Sequence, residues 1–296
     1  MRTTTMRTTH TWTEDTATIR VEGLAKAVRL VHITDSHLAL IDARDAEHLE
    51  ACGGARERFG KRRLDGTGNS IFTETTLDEM MRDVAAMGEI DLLAYSGDLI
   101  HFPSQANLER ASARLASTGL EFMYTAGNHD WLFEGVAKRE GLREENWALL
   151  EPLTGGRPSH QARDIGGIRF VAIDNSTYQV NEEQLAFLTQ QLAAGLPTVA
   201  IIHIPISLPT LRGPTIARWE TSLLMADPAG DPSYQGTATT IACARSLATA
   251  GNLVAILCGH VHFEHIDSVS PSAVQYVGAP GFETGRSRLV EFQPLR

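Results

Sequence analysis

The stretch VRLVHITDSH, residues 28–37, shows the pattern that decides the fold of this chain. An apolar run rich in valine, leucine and isoleucine leads directly into Asp35 and His37, two residues that can bind a metal ion. Runs of this kind are typical of strands that are buried on both faces of a sheet. The stretch therefore predicts a strand that is followed, at its carboxyl end, by side chains that can bind a metal ion.

The same arrangement recurs four more times along the 296-residue chain. The stretches are IDLLAYSGD at 90–98, EFMYTAGNHD at 121–130, TVAIIH at 198–203 and NLVAILCGHVH at 252–262. Because the carboxyl ends of strands in α/β sheets border the binding crevice, we expect these endings to converge. The candidate metal ligands are Asp35, His37, Asp98, Asn128, His203, His260 and His262.

The residue types indicate which metals would bind. Imidazole together with carboxylate suits divalent transition metals, and no cysteine lies at these strand ends. Asp98 is a natural bridge between two ions, and the glycines before Asp98, Asn128 and His260 permit turns that a side chain would obstruct. Each motif alone is weak, since an Asp-x-His pair is usually a turn aspartate beside a surface histidine. Their joint occurrence after apolar runs indicates a metal site.

Together these residues resemble the motif series of the calcineurin-like metallophosphoesterases: D-x-H, G-D, G-N-H-[DE], H and G-H-x-H. The resemblance covers Val28 to about Asp267. The segment IDNSTYQVNEEQLAFLTQQL, 173–192, also resembles the class III cyclic nucleotide phosphodiesterase branch. His203-Ile204-Pro205 departs from the His-His-Pro of that branch, which leaves His203 as the available ligand.

The resemblance implies a centre of two divalent or trivalent transition-metal ions, with manganese, iron and zinc all open. A hydroxide bridging two such ions would attack phosphorus in line, because neighbouring cations lower the pKa of a shared water. His129 would be catalytic rather than a ligand, as proton donor to the leaving oxygen or stabiliser of transition-state charge. The first ion would be bound by Asp35, His37, Asp98 and His262, and the second by Asp98, Asn128, His203 and His260.

Three further residues near the motifs have open roles. His101 either reaches substrate or a ligand, or is a solvated loop histidine. Asp130 is predicted to support the site or to cap its loop. Asn175 ends another apolar run, and either supports the site or forms an ordinary turn. His32 lies inside its strand and is expected in the core.

The implied fold is α/β: a two-sheet β-sandwich flanked by helices on both outer faces, in four layers. Apolar runs and alternation predict strands at 16–21, 28–34, 90–96, 121–126, 169–174, 198–202, 253–258, 265–269, 274–277 and 288–292, the last three being antiparallel strands that close a sheet. Helical spacing predicts helices at 77–87, 106–117, 182–194 and 239–248.

The chain is predicted to be a single domain over 16–296, with a weakly ordered N-terminus at 1–15. Two long connections, 38–73 and 207–238, are not required by the fold, and connections of this length tend to be functional or disordered. The first contains a group of basic side chains that either forms a lid over an anionic substrate or lies on a solvated face. These are Arg56, Arg58, Lys61, Arg62 and Arg63.

Composition excludes several classes of protein. The formal net charge of −10 argues against a protein that binds long nucleic acid through counterion release. Three cysteines without paired spacing indicate no disulfide framework and favour a cytoplasmic location. No segment has the length of a membrane span or the form of a signal peptide. The sequence does not indicate an oligomeric state.

The leading function is hydrolysis of a small phosphodiester. A phosphomonoesterase, a nucleotide pyrophosphatase and a nuclease share the same ligands, so the ligands do not choose among them. A nuclease is disfavoured because the chain lacks a basic, aromatic-lined stripe. The alternative from another class is a non-catalytic, metal-bound binding module, against which the intact ligand set and His129 argue.

Overall fold

Two sheets form the centre of the protein in the computed structural model, which describes residues 5–228, 230 and 234–296. Strands are numbered along the chain, and the order within each sheet follows hydrogen-bonded neighbours. The first sheet contains β1 Thr8–Trp12, β2 Thr16–Val21, β14 Arg288–Pro294, β3 Val28–Ile33, β6 Leu92–Tyr95 and β7 Phe122–Tyr124. The second contains β12 His265–Ser268, β13 Val274–Val277, β11 Leu253–Cys258, β10 Thr198–Ile201, β9 Ile168–Ile173 and β8 His160–Ile165.

The two sheets pack face to face through one apolar core. Leu30 of β3 and Phe292 of β14 belong to the same buried cluster as Phe170 of β9 and Val199 of β10. Because successive side chains of a strand point to opposite faces, the neighbouring Val31 of β3 faces outward. The central strands are therefore buried on both sides, which explains their continuous apolar runs.

Helices cover both outer faces. The first sheet is covered by α2 Thr73–Ala86 and α3 Gln105–Ser117, and the second by α6 Glu182–Ala193 and α8 Ala238–Thr249. This confirms the predicted four-layer sandwich. The remaining helices are α1 Leu49–Phe59, α4 Leu142–Asn146, α5 Glu151–Thr154, α7 Pro209–Trp219 and α9 Gly281–Thr284.

The start of α6 follows its sequence signals. The Asn181 side chain accepts a hydrogen bond from the backbone N–H of Gln184, and the Gln184 side chain accepts one from the backbone N–H of Asn181. This reciprocal pair satisfies two amides that the first turn leaves without partners. Glu182 and Glu183 add negative charge where the helix dipole is positive.

Two expectations are corrected, and one further strand was not predicted. The N-terminus is not weakly ordered throughout, because Thr8–Trp12 forms β1 and pairs antiparallel with β2, whereas residues 1–4 lie outside the described part of the chain. The edge strand β8 was not predicted, since its polar sequence gives no apolar signal. The last strands do not close one sheet: β12 is antiparallel to β13, but β13 is parallel to β11 and β14 lies in the other sheet.

The two long connections carry structure of their own. The first contains a 3₁₀ turn at Ala43–His48, then α1, then a hairpin of β4 Arg63–Leu64 and β5 Ser70–Ile71. The second contains α7, and residues 229 and 231–233 within it lie outside the described residues. The basic side chains of the first connection are in ion pairs, namely Arg56 with Glu74, Arg58 with Glu134, Lys61 with Glu57, Arg62 with Glu283 and Arg63 with Glu79.

All three cysteines are buried and unpaired. Over the described residues, no helix has both the length and the apolar character needed to cross a bilayer.

Candidate metal centre

The carboxyl ends of five parallel strands meet at one edge of the sandwich. In the first sheet β3, β6 and β7 are mutually parallel neighbours, and in the second β10 and β11 are. The predicted ligands follow directly after these strands. Each sheet therefore supplies part of the site, which explains how residues more than 220 positions apart become neighbours.

A first cluster joins ligands from both sheets. The Nε2 atoms of His37 and His262 lie 3.1 Å apart. Asp35 Oδ1 lies 3.4 Å from His262 Nε2 and 3.9 Å from His37 Nε2. Asp98 Oδ2 completes the group at 3.6 Å from His37 Nε2. One ligand atom from each of the four residues lies within 4.8 Å of the others.

A second cluster lies beside the first. His203 Nε2 is 3.2 Å from Asp98 Oδ2 and 3.2 Å from Asn128 Oδ1. Asp98, His203 and His260 offer ligand atoms that all lie within 4.8 Å of one another. The same oxygen, Oδ2 of Asp98, thus approaches a histidine of each cluster, so Asp98 has the geometry of a bridge.

The spacing of these atoms fits metal ions. Nitrogen and oxygen ligands about 2.0–2.2 Å from a common ion are about 3–3.6 Å apart in tetrahedral or octahedral geometry. The separations of 3.1, 3.4 and 3.6 Å in the first cluster and 3.2 Å in the second match this range, and the Asp35–His37 pair is wider, at 3.9 Å. Carboxylate and imidazole acceptors repel each other at such short distances, and cations bound between them would stabilise the arrangement.

The backbone at the site is strained. Five of the seven predicted ligands have a positive φ, in a conformation that residues other than glycine rarely adopt. Each such residue costs on the order of 1–3 kcal/mol, and clusters of them are typical of functional sites. The five are Asp35 (φ 52°), His37 (43°), Asp98 (50°), His260 (72°) and His262 (56°).

Two glycines allow the strand ends to approach each other. A side chain at Gly127 would overlap Oδ1 of Asp98, and one at Gly259 would overlap Thr34 Oγ1 and Asp35 Oδ2. These three side chains are buried at the site and have no free space to move into. The glycines therefore serve close packing of the loops as well as turn formation.

Asp130 holds the loops together from behind. Its carboxylate accepts hydrogen bonds from the backbone N–H groups of Asp98, Ile100 and Gly127, at 2.8, 2.9 and 2.6 Å. Burial, with the charge of Asp98, raises the pKa of Asp130 to about 7. The carboxylate thus joins the loop after β6 to the loop after β7.

Asn175 plays the matching role in the second sheet. Its Oδ1 accepts from the backbone N–H groups of His203 and Ile204, both at 3.0 Å, and its Nδ2 donates to the carbonyl of Ile204. Ile204 itself is buried in the outer core of the second sheet. The side chain of Asn175 thus fixes the loop that presents His203, so it is more than a turn residue.

His101 is buried, so the alternative of a solvated loop histidine is wrong. Its Nδ1 lies 2.9 Å from Nδ1 of His37, and its Nε2 lies 3.2 Å from Glu134. The ring of His129 stacks on His101 with centroids 4.4 Å apart, and the backbone N–H of His129 donates to Asp98 Oδ1. His129 is half-buried beside the clusters. His32 is buried within its strand, as predicted.

Burial controls the charge of the histidines. It lowers the pKa of His37 and His260 well below the usual histidine range, and lowers that of His129 to about 4. These rings are neutral near pH 7, the form that binds metals. At His203 burial acts in the same direction, but the Asp98 carboxylate outweighs it and raises the pKa to about 9.

Sequence reasoning missed several residues that touch the histidines. Tyr178 Oη lies 2.8 Å from His260 Nε2, and Tyr178 also has a positive φ of 66°. Phe59 at the end of α1 contacts His37 and His101, and Trp219 at the end of α7 contacts His262. For Phe59 and Trp219 the available signal was an aromatic residue in a long connection, but nothing in the spacing points to a particular histidine. Tyr178 lies outside both connections.

A two-sheet sandwich with two joined histidine and carboxylate clusters at one edge is the architecture of a metal-dependent hydrolase that uses paired ions. The family model described as "Calcineurin-like phosphoesterase" matches residues 28–264, so the chain belongs to the calcineurin-like phosphoesterase family. No curated protein matches the sequence.

Two solved structures illustrate the shared fold. A dimetal phosphatase from Danio rerio is 12% identical, with a TM-score of 0.54, and the match covers 88% of this chain and 89% of that one. The purple acid phosphatase PPD1 from yellow lupin seeds is 13% identical, with a TM-score of 0.55. This second match covers 94% of our chain but only 56% of the lupin protein. At these identities the likeness shows the fold.

Proposed function

We propose that the protein hydrolyses a small phosphodiester at a centre of two transition-metal ions. Asp35, His37, Asp98 and His262 would hold the first ion, and Asp98, Asn128, His203 and His260 the second. When bound, two such ions supply a hydroxide nucleophile near neutral pH and neutralise charge on the phosphoryl group. Manganese, iron and zinc all suit this donor set.

One observation carries the proposal. The Oδ2 atom of Asp98 lies 3.6 Å from His37 Nε2 and 3.2 Å from His203 Nε2, which joins the two clusters through one carboxylate. A single structural metal site would need no such bridge. The near-complete burial of this carboxylate beside three imidazoles also leaves it few partners other than cations.

His129 is proposed as the catalytic side chain. Its position is fixed from two sides, by the hydrogen bond from its backbone N–H to Asp98 and by its stacking on His101. It is half-buried, so it remains accessible to substrate. There its neutral ring would stabilise charge on the leaving oxygen as a hydrogen-bond donor, or would protonate that oxygen when the negative charge of a bound phosphate raises the pKa of the ring.

A phosphomonoesterase and a nucleotide pyrophosphatase are the alternatives, because the same ligands serve all three reactions. A non-catalytic binding module is the alternative of another class. The partner in each catalytic case is a small phosphate ester rather than long nucleic acid or a membrane. The resemblance to the class III cyclic nucleotide phosphodiesterase branch and a cytoplasmic location stay predictions.

The test is metal analysis combined with a substrate comparison. Purified protein reconstituted with Mn²⁺, Zn²⁺, Fe²⁺ or Co²⁺ is assayed on bis-p-nitrophenyl phosphate, a diester, and on p-nitrophenyl phosphate, a monoester. We expect two ions per chain and faster turnover of the diester. Faster turnover of the monoester would contradict a phosphodiesterase and support the phosphomonoesterase. If neither ester is turned over, the non-catalytic binding module is favoured.

A further inference from the structure

A pocket of about 540 Å³ lies beside the metal centre, outside the set of predicted ligands. It is lined by the aromatic residues Trp131, Tyr178 and Tyr234, together with Ser176, Thr177 and charged residues between 138 and 144. The volume falls within the range of sites that bind small organic molecules. None of the metal ligands and no part of the catalytic proposal accounts for this pocket.

Two contacts tie the pocket to the metal centre. Tyr178 lines the pocket with its ring, while its Oη lies 2.8 Å from Nε2 of the proposed ligand His260. Trp131 follows His129 by two residues, and its Nε1 donates to Oγ of Ser176, another lining residue, at 2.9 Å. Tyr178 therefore belongs both to the wall of the pocket and to the surroundings of the second proposed ion.

Tyr178 is held in place at a cost. Its φ of 66° lies in the left-handed region, which is costly for a bulky residue. Its ring lies against Tyr234, with centroids 4.3 Å apart and planes tilted by 35°. The strained backbone thus directs an aromatic ring toward the pocket on one side and a phenol toward His260 on the other.

The charges around the pocket largely cancel each other. Arg139 is paired with Glu145, and Arg143 with Glu144 and Asp174. Lys138 and Glu140 contribute one charge of each sign. A second anionic group on a ligand would therefore gain little binding energy in this pocket. The aromatic residues Trp131, Tyr178 and Tyr234 are the feature that can discriminate between ligands.

We propose that this pocket binds the alcohol part of the substrate, and that the preferred alcohol carries a flat ring that packs on Tyr178 and Tyr234. The inference rests on the proposed function and deepens it, because it assigns a substrate class to the same site: phosphate esters with a ring-bearing alcohol. Tyr178 and Tyr234 are then specificity-determining residues, and neither belongs to the metal-binding motifs.

The experiment compares two matched series of phosphonates that the enzyme cannot hydrolyse. Phenyl-, benzyl- and 2-phenylethylphosphonate carry a ring at increasing distance, and methyl-, ethyl- and propylphosphonate lack it. Dissociation constants are measured by calorimetry on the metal-reconstituted protein. We expect the best ring compound to bind about tenfold more tightly than its alkyl counterpart, from stacking and apolar burial.

Three variants locate the effect. Tyr234→Ala removes one aromatic wall and should reduce the ring preference to about twofold or less. Tyr178→Phe keeps the ring and removes only the hydroxyl near His260, so the ring preference should persist. The matched control is Trp12→Ala, which truncates a 51% exposed aromatic side chain in β1, outside the pocket, and should leave the preference unchanged.

The outcomes separate this inference from the proposed function. Equal binding of both series, or a full ring preference in Tyr234→Ala, would overturn the pocket assignment while leaving the metal centre in place. Failure of every phosphonate to bind would contradict the proposed function instead. In that case saturation-transfer NMR with benzyl alcohol decides: loss of transfer in Tyr234→Ala supports the pocket, and no transfer to the unaltered protein overturns it.

Discussion

The loops after the central strands and the two long connections build different parts of the site. The loops contain the histidines, and the connections contact some of the same histidines. The strand-end loops bury most of their ligands: Asp35, His37 and His203 are 0% exposed and Asp98 is 1% exposed, whereas Asn128 and His262 are half-buried. The long connections reach the site through single aromatic side chains, Phe59 and Trp219.

The surroundings of these contacts differ as well. The strand-end loops leave little choice of residue type. Their backbone has positive φ values and makes buried hydrogen bonds, and a side chain in place of Gly127 or Gly259 would overlap neighbouring atoms. The aromatic residues of the connections sit beside exposed arginines, with Arg62 over Phe59 and Arg218 over Trp219, both near Glu283. This strict geometry makes the ligands recognisable as sequence motifs. The residues that the long connections place around the site can vary more, and such loop residues usually determine which substrate binds.

Replacement of Asp98 should have the largest effect. Asp98→Ala removes the carboxylate that approaches both clusters, so metal content should fall at both positions. Because metal ions contribute several kcal/mol to transition-state stabilisation, kcat/KM should fall by about a thousandfold or more. Metal analysis and diester turnover measure the two losses, and full occupancy of both metals in this variant would break the bridging role.

His129→Ala should come next and should separate catalysis from metal binding. We expect both ions to remain, and kcat to fall by about 10²–10⁴-fold, the usual contribution of a positioned acid or base. The loss should be larger for an alkyl ester than for a p-nitrophenyl ester, because a poor leaving group depends more on protonation. An unchanged rate on both esters would contradict a catalytic role.

Asn175→Ala tests a strand-end residue that touches no metal. The backbone N–H groups of His203 and Ile204 would lose their acceptor, and loss of such support typically lowers metal affinity by about 10–100-fold. Asn175→Asp is the matched variant, since it retains an acceptor at the same place. Titration with Zn²⁺ measures the affinity, and equal affinity of the alanine and native proteins would count against this positioning role.

Trp219→Leu in α7 should have the smallest effect on the metals. The ring centroids of Trp219 and His262 lie 5.3 Å apart, and an aromatic contact of this kind is worth about 0.5–1.5 kcal/mol, or up to about tenfold in affinity. We expect a change in metal affinity near the low end of that range and a larger change in KM for the diester. A loss of metal as large as that in Asn175→Ala would show that the connections shape the centre as strongly as the strand ends.

The sequence predicted the fold best where both faces of a strand are buried. The bounds of β11 and β13 match the prediction, because every residue of these strands is buried and their sequences are almost entirely apolar. The bounds of β2 match as well, but its signal is the alternation of buried and more exposed residues in TATIRV. The edge strands β1 and β8 were missed, since TTHTW and HQARDI carry polar residues on exposed edges. Helix α1 was missed because its two adjacent glycines lower helix propensity.

The sequence by itself determined the family and the candidate ligand set, because strained loops and close backbone approach tolerate few residue types at those positions. It did not determine that His101 is buried against His37, that Tyr178 reaches His260, or that Phe59 and Trp219 cover the histidines. Those neighbours were decided by the face-to-face packing of the two sheets and by the paths of the two long connections. Contacts of that kind depend on distances across the folded chain, which leave no periodic or short-range pattern in the sequence.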